Sequence, residues 1–106
     1  MRRLLASLVL LASPALAGEV YGTITEGGKP VGEGTAVEAR CGEKAYPAVK
    51  TDKTGTYRLV LQKGKCTITV QHKGQAAAVE VASYDEGVQV DLVIEAKDGK
   101  YTLRRK

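Results

Sequence analysis

The chain contains no tryptophan and no phenylalanine, a single histidine, two cysteines and three prolines among 106 residues. Each scarcity excludes something. Without the largest aromatics, a core must be assembled from Val, Leu, Ile and Ala with help from the five tyrosines. The lone imidazole, His72, is too little for a zinc or copper centre that draws on several histidines or free thiols. It falls in an expected turn with Lys73 and Gly74, and a catalytic triad, like a metal centre, would need more imidazoles or free thiols than remain once Cys41 and Cys66 pair. No long basic run marks a nucleic-acid surface, and no apolar run reaches the ~20 residues of a membrane-spanning helix. No segment shows a 3.6-residue apolar stripe, so helices are not expected. These absences lead to the expectation of a non-enzymatic protein, with no catalytic set, metal, cofactor or nucleic-acid partner.

The first feature present is an export pattern. Arg2 and Arg3 form a short basic region, Leu4 to Leu11 an apolar one, and Pro14 precedes the A-x-A-like site Ala15-Leu16-Ala17. Residues 1–17 therefore read as a signal peptide, and residues 18–106 as one secreted or periplasmic domain without a transmembrane anchor. Removing Arg2 and Arg3 reduces sixteen basic residues to fourteen, against twelve acidic ones. The exported chain is then nearly balanced in charge. Its tail, residues 97–106, holds five basic residues and one acid, which suits a solvated terminal strand or contact with an anionic surface.

Period-2 alternation runs through the rest. Val20, Gly22 and Ile24 alternate with Glu19, Tyr21, Thr23 and Thr25, and Gly27-Gly28 with Pro30 then mark a turn. Residues 35–41 place Val37, Ala39 and Cys41 on one face; residues 45–51 carry Pro47, which demotes them to an edge strand or loop. Asp52-Lys53-Thr54-Gly55 has the composition of a type I turn followed by a left-handed glycine. Beyond it Tyr57, Leu59 and Leu61 share one face, and after Lys63-Gly64-Lys65 so do Cys66, Ile68 and Val70. Residues 75–82 and 87–96 follow as strands, the latter with Val88, Val90, Leu92 and Ile94 in phase. Asp98-Gly99 is a strong hairpin signal before residues 101–104. The pattern predicts an all-β protein: a seven-stranded antiparallel Greek-key sandwich with a C-terminal hairpin.

Cys41 and Cys66 each fall on the apolar side of a strand, in a chain bound for an oxidising compartment. A disulfide is the expected outcome, rather than metal ligation together with His72. Closing a loop of about 25 residues would stabilise the domain by roughly 3–4 kcal/mol on the chain-entropy model.

The opening Gly22-Thr23-Ile24-Thr25 with Gly28-Lys29-Pro30-Val31 and residues 34–37 resembles the start of carboxypeptidase regulatory-like domains. Thr51-Asp52, Gly55-x-Tyr57-x-Leu59 and Gly64-x-x-x-Ile68-x-Val70 resemble that family's central hairpin, and Val88-x-Val90-x-Leu92 its closing strand. The resemblance covers almost all of residues 18–95. It implies a transthyretin-like (prealbumin-like) sandwich of the kind often appended to peptidases, receptors or surface proteins, here standing alone. The cysteine pair is not part of the general family pattern. Hydroxyisourate hydrolases share the transthyretin-like architecture, but resembling them would require several histidines and a C-terminal Tyr-Arg-Gly-Ser. This chain ends Tyr101-Thr102-Leu103-Arg104-Arg105-Lys106.

For function, the expectation is a binding or structural module at the cell envelope, recognising protein or carbohydrate. The alternative is an accessory or inhibitor domain for a peptidase or other envelope enzyme. Tyr21, out of phase with the core, and Tyr46 and Tyr84, in expected loops, are the candidate surface-binding residues, because exposed phenol rings can stack on sugars or anchor a protein contact. Asp52, Asp85 and Glu86 read as solvated turn carboxylates rather than a glycosidase pair. An edge strand, residues 45–51 or 101–104, could also recruit a partner by strand addition.

Overall fold

Because side chains alternate across a strand, period-2 sequences can bury one face only by stacking two sheets. That is the arrangement in the computed structural model, which describes residues 17–84 and 86–106. The expected signal peptide lies, but for Ala17, outside the described residues. The described strands are β1 (Ala17–Glu26), β2 (Lys29–Pro30), β3 (Ala36–Cys41), β4 (Lys44–Lys50), β5 (Thr56–Gln62), β6 (Gly64–His72), β7 (Gln75–Ser83), β8 (Val88–Gln89), β9 (Leu92–Lys97) and β10 (Lys100–Arg105). Together they make an all-β sandwich, with no helix among the described residues.

One sheet has four strands in the order β4-β3-β6-β7, all antiparallel. The other is organised around β1, which pairs with β5 and β2 along one side and with β8 and β9 along the other; β10 extends it beyond β9. The pairings of β1 with β8 and β9 are parallel, and the remaining ladders are antiparallel. Pro47 lies in the edge strand β4, as its missing N–H requires, and β10 is an edge of the other sheet.

The expected faces are the buried ones. Val20, Ile24, Val37, Leu61, Ile68, Val70, Val90 and Leu92 have no exposed surface, and Tyr57 takes the largest share of the aromatic burial. The expected run from residue 87 to 96 keeps its phase but not its ladder: it breaks into β8 and β9 at Val90-Asp91. There the Val90 N–H donates to Tyr21 O at 2.8 Å, and the buried Tyr57 hydroxyl donates to Val90 O. A side chain thus replaces a missing strand partner.

Cys41 and Cys66 form a disulfide, with Cα atoms 4.2 Å apart and both side chains buried. The register Val37↔Val70, Ala39↔Ile68, Arg40↔Thr67 places the two cysteines directly opposite one another on β3 and β6. The bond therefore links neighbours within one sheet. It does not join the two layers.

Candidate functional site

The far end of the sandwich from the disulfide gathers the chain's one histidine, a glutamate and a tyrosine from three strands. Glu26 ends β1 in phase with Val20 and Ile24, and His72 ends β6 in phase with Ile68 and Val70, so each continues an inward-facing row. They meet between the sheets, with His72 Nε2 2.9 Å from Glu26 Oε1 and the imidazole only 11% exposed. Tyr101 of β10 packs against the imidazole in a T-shaped contact at 4.8 Å, and Lys73 Nζ lies 5.9 Å from the Tyr101 ring. Gln75 of β7 fastens the same corner: its amide donates to Gly99 O at 2.9 Å, and its carbonyl accepts from the Tyr101 N–H at 3.0 Å. The expectation that His72 sits in a turn is corrected: it is the last residue of a strand, because the apolar phase of β6 persists through it.

Beside this cluster lies an open groove of about 500 Å³, lined by Glu26-Gly27-Gly28 on one side and residues 93–96 of β9 on the other. It exists because β1 stops pairing at Glu26↔Ile94 while β9 continues to Lys97. Gly27 and Gly28 take φ of 60° and 82°, the left-handed pair that a tight β1–β2 turn requires, and they leave that wall without side chains. The side chains that line the groove include two carboxylates, Glu26 and Glu95, and no lysine; Lys29 pairs in register with Glu26 on β2, and Lys97 lies directly opposite Lys100 in the β9–β10 hairpin.

The three candidate tyrosines are not brought together. Tyr21 is half-buried on the outer face of the β1 sheet, opposite Arg58 and Gln89. Tyr84, 54% exposed, follows β7 near the disulfide end, where its carbonyl leaves no room for a Cβ at Gly18. Tyr46 is corrected from loop to strand: it lies in β4, opposite Ala39, with its ring packed on the core. Its hydroxyl accepts from Gln62 N–H at 2.9 Å, bridging β4 to β5, and Lys44 Nζ stands 5.1 Å from its ring.

Two carboxylates are held ionised by donors. Three donors converge on Asp52 Oδ1, the Thr54 hydroxyl at 2.7 Å and the N–H groups of Thr54 and Thr56 at 2.9 and 3.0 Å, and they lower its pKa. This is the self-capped turn the sequence suggested. Asp91 is also lowered, first by the Thr23 N–H at 3.0 Å, with Gln89 and the Thr23 hydroxyl adding further donors. Burial pushes the Tyr57 hydroxyl up, reinforced by the nearby Asp91 charge. Asp85 lies outside the described residues.

Sequence reasoning missed Glu26 and the bracing role of Gln75. The signal for Glu26 was available in its phase with Ile24. For Gln75 there was none, because its partners come from another hairpin 24 and 26 residues away.

The fold is transthyretin-like. A 5-hydroxyisourate hydrolase from Klebsiella pneumoniae superposes with a TM-score of 0.60 at 13% identity, over 84% of this chain and 98% of that one. A DUF3823 family protein from Parabacteroides merdae superposes with a TM-score of 0.56 at 12% identity, over 84% of this chain. This chain spans only 58% of that protein's length. At such identities the likeness is one of architecture. No family model and no curated protein sequence matches the chain.

Proposed function

We propose that this chain is an exported, non-enzymatic β-sandwich module that acts by binding at the cell envelope, a form of the carboxypeptidase regulatory-like domain. One observation carries the reading: the groups with the most chemical potential are committed to architecture. The sole imidazole is hydrogen-bonded to Glu26 between the sheets, and both thiols are joined in the Cys41–Cys66 bond. The groove beside β9 offers a ligand strand backbone and turn glycine, and its two carboxylates, Glu26 and Glu95, are already bonded to His72 and Arg104. Strand backbone and turn glycine recognise; they supply neither a nucleophile nor a base.

The disulfide supports an oxidising compartment, as does the export pattern of residues 1–17. Among the described residues no helix is long and apolar enough to cross a membrane.

The test is direct. The purified protein is incubated with 5-hydroxyisourate, the substrate named for the Klebsiella structure, and separately used as bait in envelope extract. No turnover above buffer and a saturable envelope partner are the expected results. Turnover abolished by His72→Ala would overturn the reading. Recovery of a stoichiometric envelope enzyme as the partner would favour the accessory or inhibitor role.

A further inference from the structure

We propose that the free edge of β7 is the contact with a second copy of this chain, paired antiparallel about a two-fold axis through Val79. Such pairing goes beyond the module reading and does not depend on what the module binds. β7 closes the four-stranded sheet and pairs with β6 alone, in a register that runs unbroken from Gly64↔Ser83 to His72↔Gln75. Lys73 and Gly74 take φ of 50° and 82°, the left-handed pair of a two-residue hairpin turn, which makes His72↔Gln75 a hydrogen-bonded pair. Gln75, Ala77, Val79, Val81 and Ser83 therefore bond β6. The same alternation carried across β6 makes Cys41↔Cys66 a non-hydrogen-bonded pair, in keeping with their Cα separation of 4.2 Å. Ala76, Ala78, Glu80 and Ala82 turn their N–H and C=O groups outward, and none of these groups has a partner among the described residues.

The other long edges are guarded, as exposed strand edges usually are. β4 carries Pro47, a lysine at each end, and a bulge between its pairings with Val37 and Ala39. On β5 the Thr56 N–H donates to Asp52 Oδ1 and the Gln62 N–H to the Tyr46 hydroxyl, so both ends of its edge are occupied. On β10 the Tyr101 N–H is taken by Gln75, and Lys100, Arg104 and Arg105 add charge of one sign. β7 has no proline, no bulge and no basic residue. Its edge is self-complementary instead. With Val79 opposite the partner's Val79, Ala76 meets the partner's Ala82 and Ala78 meets the partner's Glu80. Every free donor on one chain then faces a free acceptor on the other. Glu80 is the only charge on β7, and in this register it faces an alanine, not its own copy. Val79, half-buried on the inner face, is covered by its counterpart.

The test combines sedimentation velocity with amide hydrogen exchange, both measured across protein concentration. The expected result is a monomer–dimer equilibrium with a midpoint between about 1 μM and about 1 mM, the range of small interfaces. As dimer forms, exchange should slow at the amides of residues 76, 78, 80 and 82, while those of 77, 79 and 81 are protected throughout. Two substitutions at the exposed Ala78 test the register. Ala78→Glu sets a like charge against the partner's Glu80 at both symmetric contacts and should weaken dimerisation about tenfold. Ala78→Lys sets an opposite charge there and should not weaken it. The amide spectrum of each variant reports its folding. A chain that stays monomeric to about 1 mM overturns the proposal and leaves the edge to a foreign strand. Equal dissociation constants for the two variants, or slowed exchange at β4, β5 or β10 instead, also overturn it. None of these results decides the module reading, which fails on turnover of a substrate.

Discussion

At one end of the sandwich Cys41 and Cys66 join neighbouring strands of a single sheet; at the other, Glu26 and His72 join strands of opposite sheets. The covalent bond constrains the more local relationship, the register of β3 against β6. The weaker polar contacts bridge the layers, with Gln75 reinforcing them by spanning β7 and β10. The comparison separates two tasks that a staple is often assumed to combine. A cross-strand disulfide narrows the unfolded ensemble but places no direct hold on the facing sheet, so the layers must be kept together by apolar burial and by contacts near the rim. The end held by polar contacts is also the end that opens into a groove. A rim of hydrogen bonds leaves backbone accessible in a way that tight apolar closure does not.

Breaking the covalent end should have the largest effect. The Cys41→Ser/Cys66→Ser variant is expected to lose roughly 3–4 kcal/mol in urea denaturation, with a lower melting temperature. Because the loss acts mainly on the unfolded chain, hydrogen exchange should accelerate throughout the domain and not only beside β3 and β6. Acceleration confined to those two strands would show that the bond acts locally instead.

Next in size is Tyr57, which lies between the two ends and supports the break between β8 and β9. Tyr57→Phe leaves Val90 O without its donor and should cost about 1–2 kcal/mol. Its pH signature has a definite sign. Burial raises the Tyr57 pKa in the folded state, so its contribution is complete below the unfolded value of ~10 and is lost as pH rises above it. Alkaline titration of stability should therefore fall steeply for the native protein and less so for Tyr57→Phe.

The polar end should yield less. A double-mutant cycle with Glu26→Gln and His72→Gln is expected to return a coupling of about 0.5–1 kcal/mol, since both groups retain some solvent contact. Exchange should quicken chiefly at the turns of residues 27–28 and 73–74. A coupling equal to the disulfide's contribution would erase the contrast between the ends. The smallest effect is expected from Asp91. Donors from Thr23 and Gln89 lower its folded pKa, so its stabilisation is full above pH ~4 and declines as pH falls through the folded value. Asp91→Asn should flatten that acid limb in denaturation measured across pH.

Much of this architecture was legible before any coordinates. The alternation of Val37, Ala39 and Cys41, and of Cys66, Ile68 and Val70, identified both the buried faces and the disulfide, because a two-residue period leaves only two choices of face. Pro47 marked an edge, and Asp98-Gly99 marked a hairpin. The candidate site was far less legible. His72 was misplaced in a turn because Lys73-Gly74 drew the boundary one residue early. Tyr46 was read as loop because Pro47 masked an edge strand whose core contact comes from the facing sheet. The close approach at Gly22, where a Cβ would lie 2.2 Å from Val90 O, left no local trace at all.

By itself, the sequence determined most of the strands and their inward faces, since each depends on residues a few positions apart, and with only two cysteines it left a single possible disulfide. Only the tertiary structure decided that the disulfide lies within one sheet, that Glu26 and His72 meet between two, and that β1 ends short of β9 to leave a groove. Those are matters of strand order and relative length. They arise from contacts between residues tens of positions apart, which no local periodicity encodes.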